Sequence, residues 1–140
     1  MRNRIASVVV VAALALAGSA SAEGMKIEPG KWEFERTARS PMSPEPKVET
    51  TTSCVAESEM TPQSFMKDAR GCAVSDAETS SETMKWNVTC AAPHGKMTGQ
   101  ARFSSTGKSM KGQMEMTMKM GGQSMKFAQS WKGKRVGDCD

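Results

Sequence analysis

The chain has 140 residues, 24% of them charged and 5% aromatic, with a formal net charge of +4 at pH 7. This length is typical of a single domain with one hydrophobic core. Lysine and arginine are dispersed along the chain without interleaved aromatic residues, which excludes a recognisable nucleic-acid-binding footprint.

The N-terminus has the three parts of a cleavable secretory signal over residues 1–22. Two arginines precede an uncharged apolar run at 5–17, and Ala20-Ser21-Ala22 is a small-x-small cleavage site. The run is shorter than the roughly 20 residues of a membrane-spanning helix, and no later run is long enough. We therefore predict cleavage after Ala22, export to the periplasm, no membrane span after cleavage, and one domain over residues 23–140. Loss of the two arginines leaves 17 basic and 15 acidic residues, a net charge of +2.

The first half of that domain predicts two strands and a short helix. Apolar and charged residues alternate over residues 30–38, which indicates a half-buried strand. Three prolines predict a loop over residues 40–46, because proline removes ladder donors. The Thr- and Val-rich segment 47–54 predicts a second strand. Thr61-Pro62 is a typical helix start, and the helix is expected over residues 62–69.

The second half predicts a meander of strands joined by short turns. Gly121-Gly122 is a two-residue hairpin signal between the last two strands. Strands joined by short turns are antiparallel. The expected fold is therefore mainly β, an antiparallel meander of about seven strands forming a curved sheet or an incomplete barrel, with one short helix. The five strands of this half are expected at 72–78, 83–90, 96–105, 109–120 and 123–131.

The four cysteines all lie in the exported domain, and an even number predicts two disulfides. Three pairings are possible. The favoured one joins Cys54 to Cys72, closing a short loop, and Cys90 to Cys139, tying the C-terminal tail to the body. A Cys72–Cys90 bridge across a hairpin is the alternative. Bridged cysteines leave no thiolate for nucleophilic catalysis, and we expect no catalytic residue and no enzyme activity.

Methionine is abundant, with 13 residues, and it alternates strictly in the segment 114–120. Alternate residues of a strand share a face, so four thioethers should point the same way. These four residues are Met114, Met116, Met118 and Met120. Pairing across the Gly-Gly turn places Met118 opposite Met125, Met116 opposite Phe127, and Gly112 opposite Trp131.

Three interpretations of this methionine face remain open. Methionine fills irregular gaps, so the face is either the core of the domain or a flexible pocket for an apolar small molecule or a protein partner. The third interpretation is a metal site, because thioethers are soft ligands that suit Cu(I). The residues of such a site are Met114, Met116, Met118 and Met120, with Met125 in reach.

A series of short motifs spans the exported domain: Pro29-Gly30-Lys31-Trp32-Glu33, Cys54 before the Thr-Pro helix start, Cys72, Trp86 leading to Cys90, Gly99, Gly112, and Gly137-Asp138-Cys139. In this order they resemble a family of exported bacterial proteins catalogued as domain of unknown function 3617. The resemblance implies a periplasmic protein and supports two disulfides. It implies no agreed activity, cofactor or catalytic residue.

The function we expect is that of a non-enzymatic periplasmic binding or interaction module that requires no cofactor and has a Met-lined apolar face. The expected partner is an apolar small molecule or a periplasmic protein. The alternative is a periplasmic Cu(I)-binding protein that uses the strand 114–120. An enzyme would instead need a cleft with perturbed carboxylates.

Overall fold

The computed structural model describes residues 24–93 and 95–140, so the expected signal at residues 1–22 and the turn residue His94 lie outside the described residues. No helix within the described ranges is long and apolar enough to cross a membrane. In chain order the elements are β1 (Met25–Lys26), β2 (Gly30–Ser40), β3 (Ser43–Val55), β4 (Glu59–Met60), α1 (Pro62–Phe65), β5 (Cys72–Thr79), β6 (Thr83–Ala92), β7 (Gly95–Ser105), β8 (Ser109–Met120) and β9 (Gln123–Gly137).

Seven of the strands form one antiparallel sheet in the order β3-β2-β9-β8-β7-β6-β5. The sheet is open, with β3 and β5 as its edges, and β1 pairs with β4 in a separate two-stranded sheet. This confirms the predicted antiparallel meander of seven strands with one short helix. The strands β5 to β9 follow one another as hairpins, whereas the β2–β9 pair joins the two ends of the domain.

Local predictions are wrong in part for the proline segment and the helix, and β9 runs to Gly137, whereas the last strand was expected to end at residue 131. The expected proline loop at 40–46 is mostly strand, because β3 begins at Ser43 and includes Pro44 and Pro46. An edge strand pairs on one side only, so a proline whose nitrogen faces away from the neighbour costs no ladder hydrogen bond. The helix ends at Phe65 instead of residue 69, as expected for an isolated turn of helix with little length of its own.

The start of the helix is as predicted. Thr61 caps it by accepting a hydrogen bond from the backbone N–H of Ser64 at 3.1 Å. The Ser64 hydroxyl in turn accepts from the backbone N–H of Thr61 at 2.9 Å. Pro62 occupies the first turn, where its missing N–H has no helical partner to lose.

The disulfides are Cys54–Cys139 and Cys72–Cys90, so the favoured pairing of Cys54 with Cys72 and Cys90 with Cys139 is wrong. Cys72 and Cys90 are direct partners in the β5–β6 hairpin, with their Cα atoms 4.0 Å apart. Cys54 lies in β3 and Cys139 follows β9, on opposite sides of β2, with Cα atoms 5.6 Å apart. Position in the folded sheet therefore decides the pairing, and separation along the chain does not.

The two faces of the seven-stranded sheet differ in composition. On one face, β8 presents only methionine and glycine, and we call this the apolar face; its other residues include Trp32, Phe34, Trp86, Phe103, Phe127 and Trp131. The opposite side is the lysine-rich face, which includes Lys85, Arg102, Lys111, Lys119, Lys126 and Lys132. This alternation is what a sheet with one buried side requires.

One end of the apolar face is packed beneath β1, β4 and α1, and we call it the covered end. Met25 and Ile27 belong to its core. The Phe65 ring of α1 lies 4.7 Å from Phe103 and 5.5 Å from Trp131 between ring centroids. At the other end, exposure rises along β8 from 4% at Met110 to 40% at Met120. We call this the methionine end; it comprises Met97, Met118, Met120 and Met125.

Candidate functional site

A groove of about 440 Å³ lies on the apolar face beside α1. Its floor comes from three neighbouring strands of the sheet, and its wall comes from β4 and α1. A cavity of this size is in the range that small molecules occupy in proteins. The floor residues are Phe34, Met110 and Trp131, the wall residues are Met60 and Phe65, and the rim residues are Arg36, Glu49 and Thr51.

Two glycines of the apolar face lie beneath aromatic rings, one of them in the floor of the groove. Gly133 lies between Phe34 and Met110 in the cross-strand row, and a Cβ atom there would approach Phe34 Cδ1 to 2.8 Å. Gly112 lies beneath the Phe103 ring, and a Cβ atom there would be 2.1 Å from that ring. Both glycines therefore allow an aromatic ring to lie directly on the sheet, and a larger residue at either position would push the ring outward.

The rim of the groove is polar and charged. Arg36 donates a hydrogen bond from Nη2 to Glu49 Oε2 at 2.8 Å, and Lys47 Nζ lies 3.0 Å from Glu49 Oε1. The hydrogen bond and charge of Lys47, followed by the charge and hydrogen bond of Arg36, lower the pKa of Glu49. Two cations therefore surround one ionised carboxylate, which leaves this part of the rim with an excess of one positive charge.

A smaller cavity of about 180 Å³ adjoins the groove beneath the β4–α1 segment. It shares Phe34, Met60 and Met110 with the groove. Its other lining residues are the apolar Ile27, Trp32 and Val55 and the polar or charged Glu57, Glu59, Ser64 and Lys67. Met60 lines both spaces, and its side chain is of the flexible kind that fills irregular gaps. The apolar volume beside α1 is thus larger than the groove alone.

A larger depression, about 760 Å³, lies mostly on the lysine-rich face. Most of its lining residues are polar, among them Lys85, Arg102 and Lys111, but Met84 and Phe103 also line it. Lys85 forms an ion pair with Glu78 at 2.9 Å. Long, exposed, charged side chains border it. The groove beside α1 is the better candidate for a ligand site, because apolar contacts give small molecules most of their binding energy.

The methionine strand is oriented as predicted. All three predicted pairs across the Gly-Gly turn are confirmed: Met118 with Met125, Met116 with Phe127, and Gly112 with Trp131. The predicted copper ligands nevertheless differ in burial. Met114 and Met116 are core residues, Met118 and Met125 are half-buried, and Met120 is exposed.

The structure adds one methionine that sequence analysis did not include in the site. Met97 of β7 is the direct cross-strand partner of Met118. The β7 strand and its alternation were recognisable, but its register against β8 was not assigned. Copper binding itself stays a prediction at this point.

No group of three or more His, Cys, Asp or Glu side chains that could hold a metal ion occurs within residues 24–93 and 95–140. The cysteines in these ranges are all bridged.

The family model described as Protein of unknown function (DUF3617) matches residues 27–139. The chain belongs to this family. The match includes the whole seven-stranded sheet and both disulfides. The chain matches no curated protein and no solved structure.

Two disulfides in this DUF3617 protein indicate an oxidising environment of the kind that exported proteins meet. The groove and the methionine end both lie inside the matched range. Membership of the family thus agrees with the resemblance seen in the sequence, and it assigns no activity.

Proposed function

We propose that this DUF3617 protein is a non-enzymatic periplasmic binding module that takes an apolar small molecule in the groove beside α1. The observation behind the proposal is an open space of about 440 Å³ with an aromatic and methionine floor. The space lies where α1 and β4 leave part of the apolar face uncovered, beside Phe65 and Met60.

The floor supports this proposal because it offers large apolar surfaces to a ligand. Phe34 and Trp131 are half-buried, and each still has surface that a bound molecule would remove from water. Such burial contributes about 25 cal/mol per Å² of apolar area. Met60 and Met110 have flexible side chains, which adapt to ligands of different outline.

The charges at the rim favour one orientation of the ligand in the groove. The excess positive charge of Arg36 and Lys47 over Glu49 favours a neutral or anionic polar end at the rim. The apolar body of the ligand would then lie over Trp131 and Met110. A cation at the same place would be repelled.

The location that we propose is the periplasm, with the signal removed after Ala22. The two disulfides support export, since such bridges persist in oxidising compartments. An exported carrier of an apolar molecule would need a stable scaffold outside the cytoplasm, and the bridges supply covalent links at both ends of the sheet.

Binding of the neutral dye N-phenylnaphthylamine tests the proposal through a matched pair of variants in β3. Thr51 lines the groove, and its neighbour Thr52 is exposed on the other side of the strand, paired with Glu33. We expect the wild type and Thr52→Trp to bind the dye alike. Thr51→Trp should weaken binding at least tenfold, because the indole occupies the groove.

The fluorescence of the dye gives its affinity for the wild type and for each variant, and intrinsic tryptophan fluorescence provides a second signal of binding. Circular dichroism checks that both variants keep the fold. A wild type that binds no dye, or a Thr51→Trp variant that binds as well as the wild type, would refute the groove as the ligand site.

A further inference from the structure

A row of three methionines crosses three neighbouring strands at the methionine end. Met97 of β7 pairs with Met118 of β8, and Met118 pairs with Met125 of β9. Directly opposite residues of antiparallel strands share a face, and their Cβ atoms are about 4.5–5.5 Å apart. Three flexible thioether side chains therefore begin at neighbouring points, with Met118 in the middle.

The row is accessible from solvent. Met97, Met118 and Met125 are each half-buried, and they lie between the buried Met116 and the exposed Met120. An ion can reach this position, which it cannot do at the core methionines without disturbing the packing. The row continues to Cys90, whose sulfur is bonded to Cys72 and so offers no thiolate.

The donors in this region are neutral and soft. Among the described residues of β7, β8 and β9, no Asp or Glu points to the apolar face. The nearby Lys119 and Lys126 belong to the lysine-rich face. Divalent cations such as Ca²⁺ and Mg²⁺ require oxygen ligands, whereas thioethers select Cu(I).

We propose that Met97, Met118 and Met125 form a three-thioether site for Cu(I). The ion binds and leaves in the same oxidation state, so no redox partner is needed. We prefer this site to the four same-face methionines of β8 for two reasons. Same-face neighbours in one strand begin about 7 Å apart, and two of the four, Met114 and Met116, are buried. Met120 follows Met118 on the same face, but it begins about 7 Å away and is left out of the site.

Titration with Cu(I) tests the site, with ascorbate as reductant and bicinchoninate as competing chelator. The site variant combines Met97→Leu, Met118→Leu and Met125→Leu. The matched control combines three leucine substitutions in the buried part of β8, which keeps the number of methionines removed the same. Leucine conserves volume, so both variants should retain the fold. The control positions are Met110, Met114 and Met116.

We expect one equivalent of Cu(I) to bind to the wild type and to the control, and binding to the site variant to weaken at least tenfold. The X-ray absorption spectrum of the wild-type complex should show sulfur ligands only. Where the triple variant fails to fold, Met118→Leu alone removes the central donor and should still lower the affinity.

Three results would overturn the site: a wild type that does not bind Cu(I), a folded site variant that binds like the wild type, or a spectrum with nitrogen or oxygen ligands. The site is independent of the groove. The Thr51→Trp variant, which fills the groove, should bind Cu(I) as the wild type does, so the two proposals can fail separately.

Discussion

The covered end and the methionine end belong to one face of one sheet, yet they are built differently. At the covered end, β1, β4 and α1 bury stacked rings such as Trp86 and Phe103, whose centroids are 5.6 Å apart. At the methionine end the side chains are flexible and partly exposed. Rigid aromatic packing stabilises one end, whereas the other end is lined by adaptable thioether side chains.

Removing the disulfides gives the largest expected difference in unfolding free energy between the two ends. Cys54–Cys139 joins residues 85 apart near the covered end, whereas Cys72–Cys90 joins residues 18 apart beside Met97. Replacing the first pair with serine should lower the free energy of unfolding by about 4.5 kcal/mol, and replacing the second by about 3 kcal/mol, because the longer loop has more entropy when released. Urea denaturation of the two double variants measures both values, and equal losses would contradict the loop-entropy explanation.

A second comparison uses two methionines of the same strand and face. Met114 is 8% exposed and Met120 is 40% exposed. Met114→Ala should cost about 2–4 kcal/mol of unfolding free energy, because it leaves a cavity in the core. Met120→Ala should cost less than about 1 kcal/mol, since the residue is half in water. Thermal and urea unfolding test this, and a loss at Met120 as large as that at Met114 would show that the methionine end is packed like the core.

Two buried tryptophans of the covered end differ in hydrogen bonding. Trp32 and Trp86 are both buried and both stack on a phenylalanine. The indole N–H of Trp32 donates to the backbone carbonyl of Glu28 at 2.8 Å, whereas the indole N–H of Trp86 has no hydrogen-bond partner among the described residues. Both changes to phenylalanine lose similar volume, but only Trp32→Phe loses a hydrogen bond.

We therefore expect Trp32→Phe to be more destabilising than Trp86→Phe by about 1 kcal/mol. Denaturant unfolding of the two variants under identical conditions gives the difference. The reverse order would mean that the Trp86 N–H has a favourable contact in solution.

The smallest expected effect on stability concerns the ion pair between β1 and β4, which lie over the covered end. The Nζ atom of Lys26 in β1 lies 2.8 Å from Oε1 of Glu59 in β4. The hydrogen bond from Lys26 lowers the pKa of Glu59 below its ordinary value of 4.5, and a hydrogen bond from the backbone N–H of Gly24 lowers it further. The folded state then takes up this proton at lower pH than the unfolded state. The stabilisation is present above the unfolded pKa and is lost as pH falls through the folded value.

Glu59→Gln should thus be slightly less stable than the wild type at neutral pH, and the two proteins should converge in acid. The difference should shrink in high salt, because the pair is exposed. Unfolding measured between pH 7 and pH 2 at two salt concentrations checks both points, and a difference that grows toward low pH would have the wrong sign.

Local patterns were sufficient for much of the fold. Alternation placed Trp32 and Phe34 on one face, and the Gly121-Gly122 turn set the β8–β9 register down to individual pairs such as Met118 with Met125. A two-residue turn leaves little freedom in register, which explains why these pairs were predictable. The same local information failed for the segment 40–46, where the position of β3 at the sheet edge was decisive.

The sequence by itself determined the seven strands of the main sheet, their two-sided patterning, the capped start of α1 and the single methionine face, but not β1 and β4. Only the tertiary structure decided that β2 pairs with β9, that Cys54 meets Cys139, and that Met97 joins Met118. The groove beside α1 is likewise a tertiary feature, because its floor and wall come from segments far apart in the chain. The physical reason is that turns and alternation act over a few residues, whereas contacts between distant strands are selected by the burial of the whole apolar face.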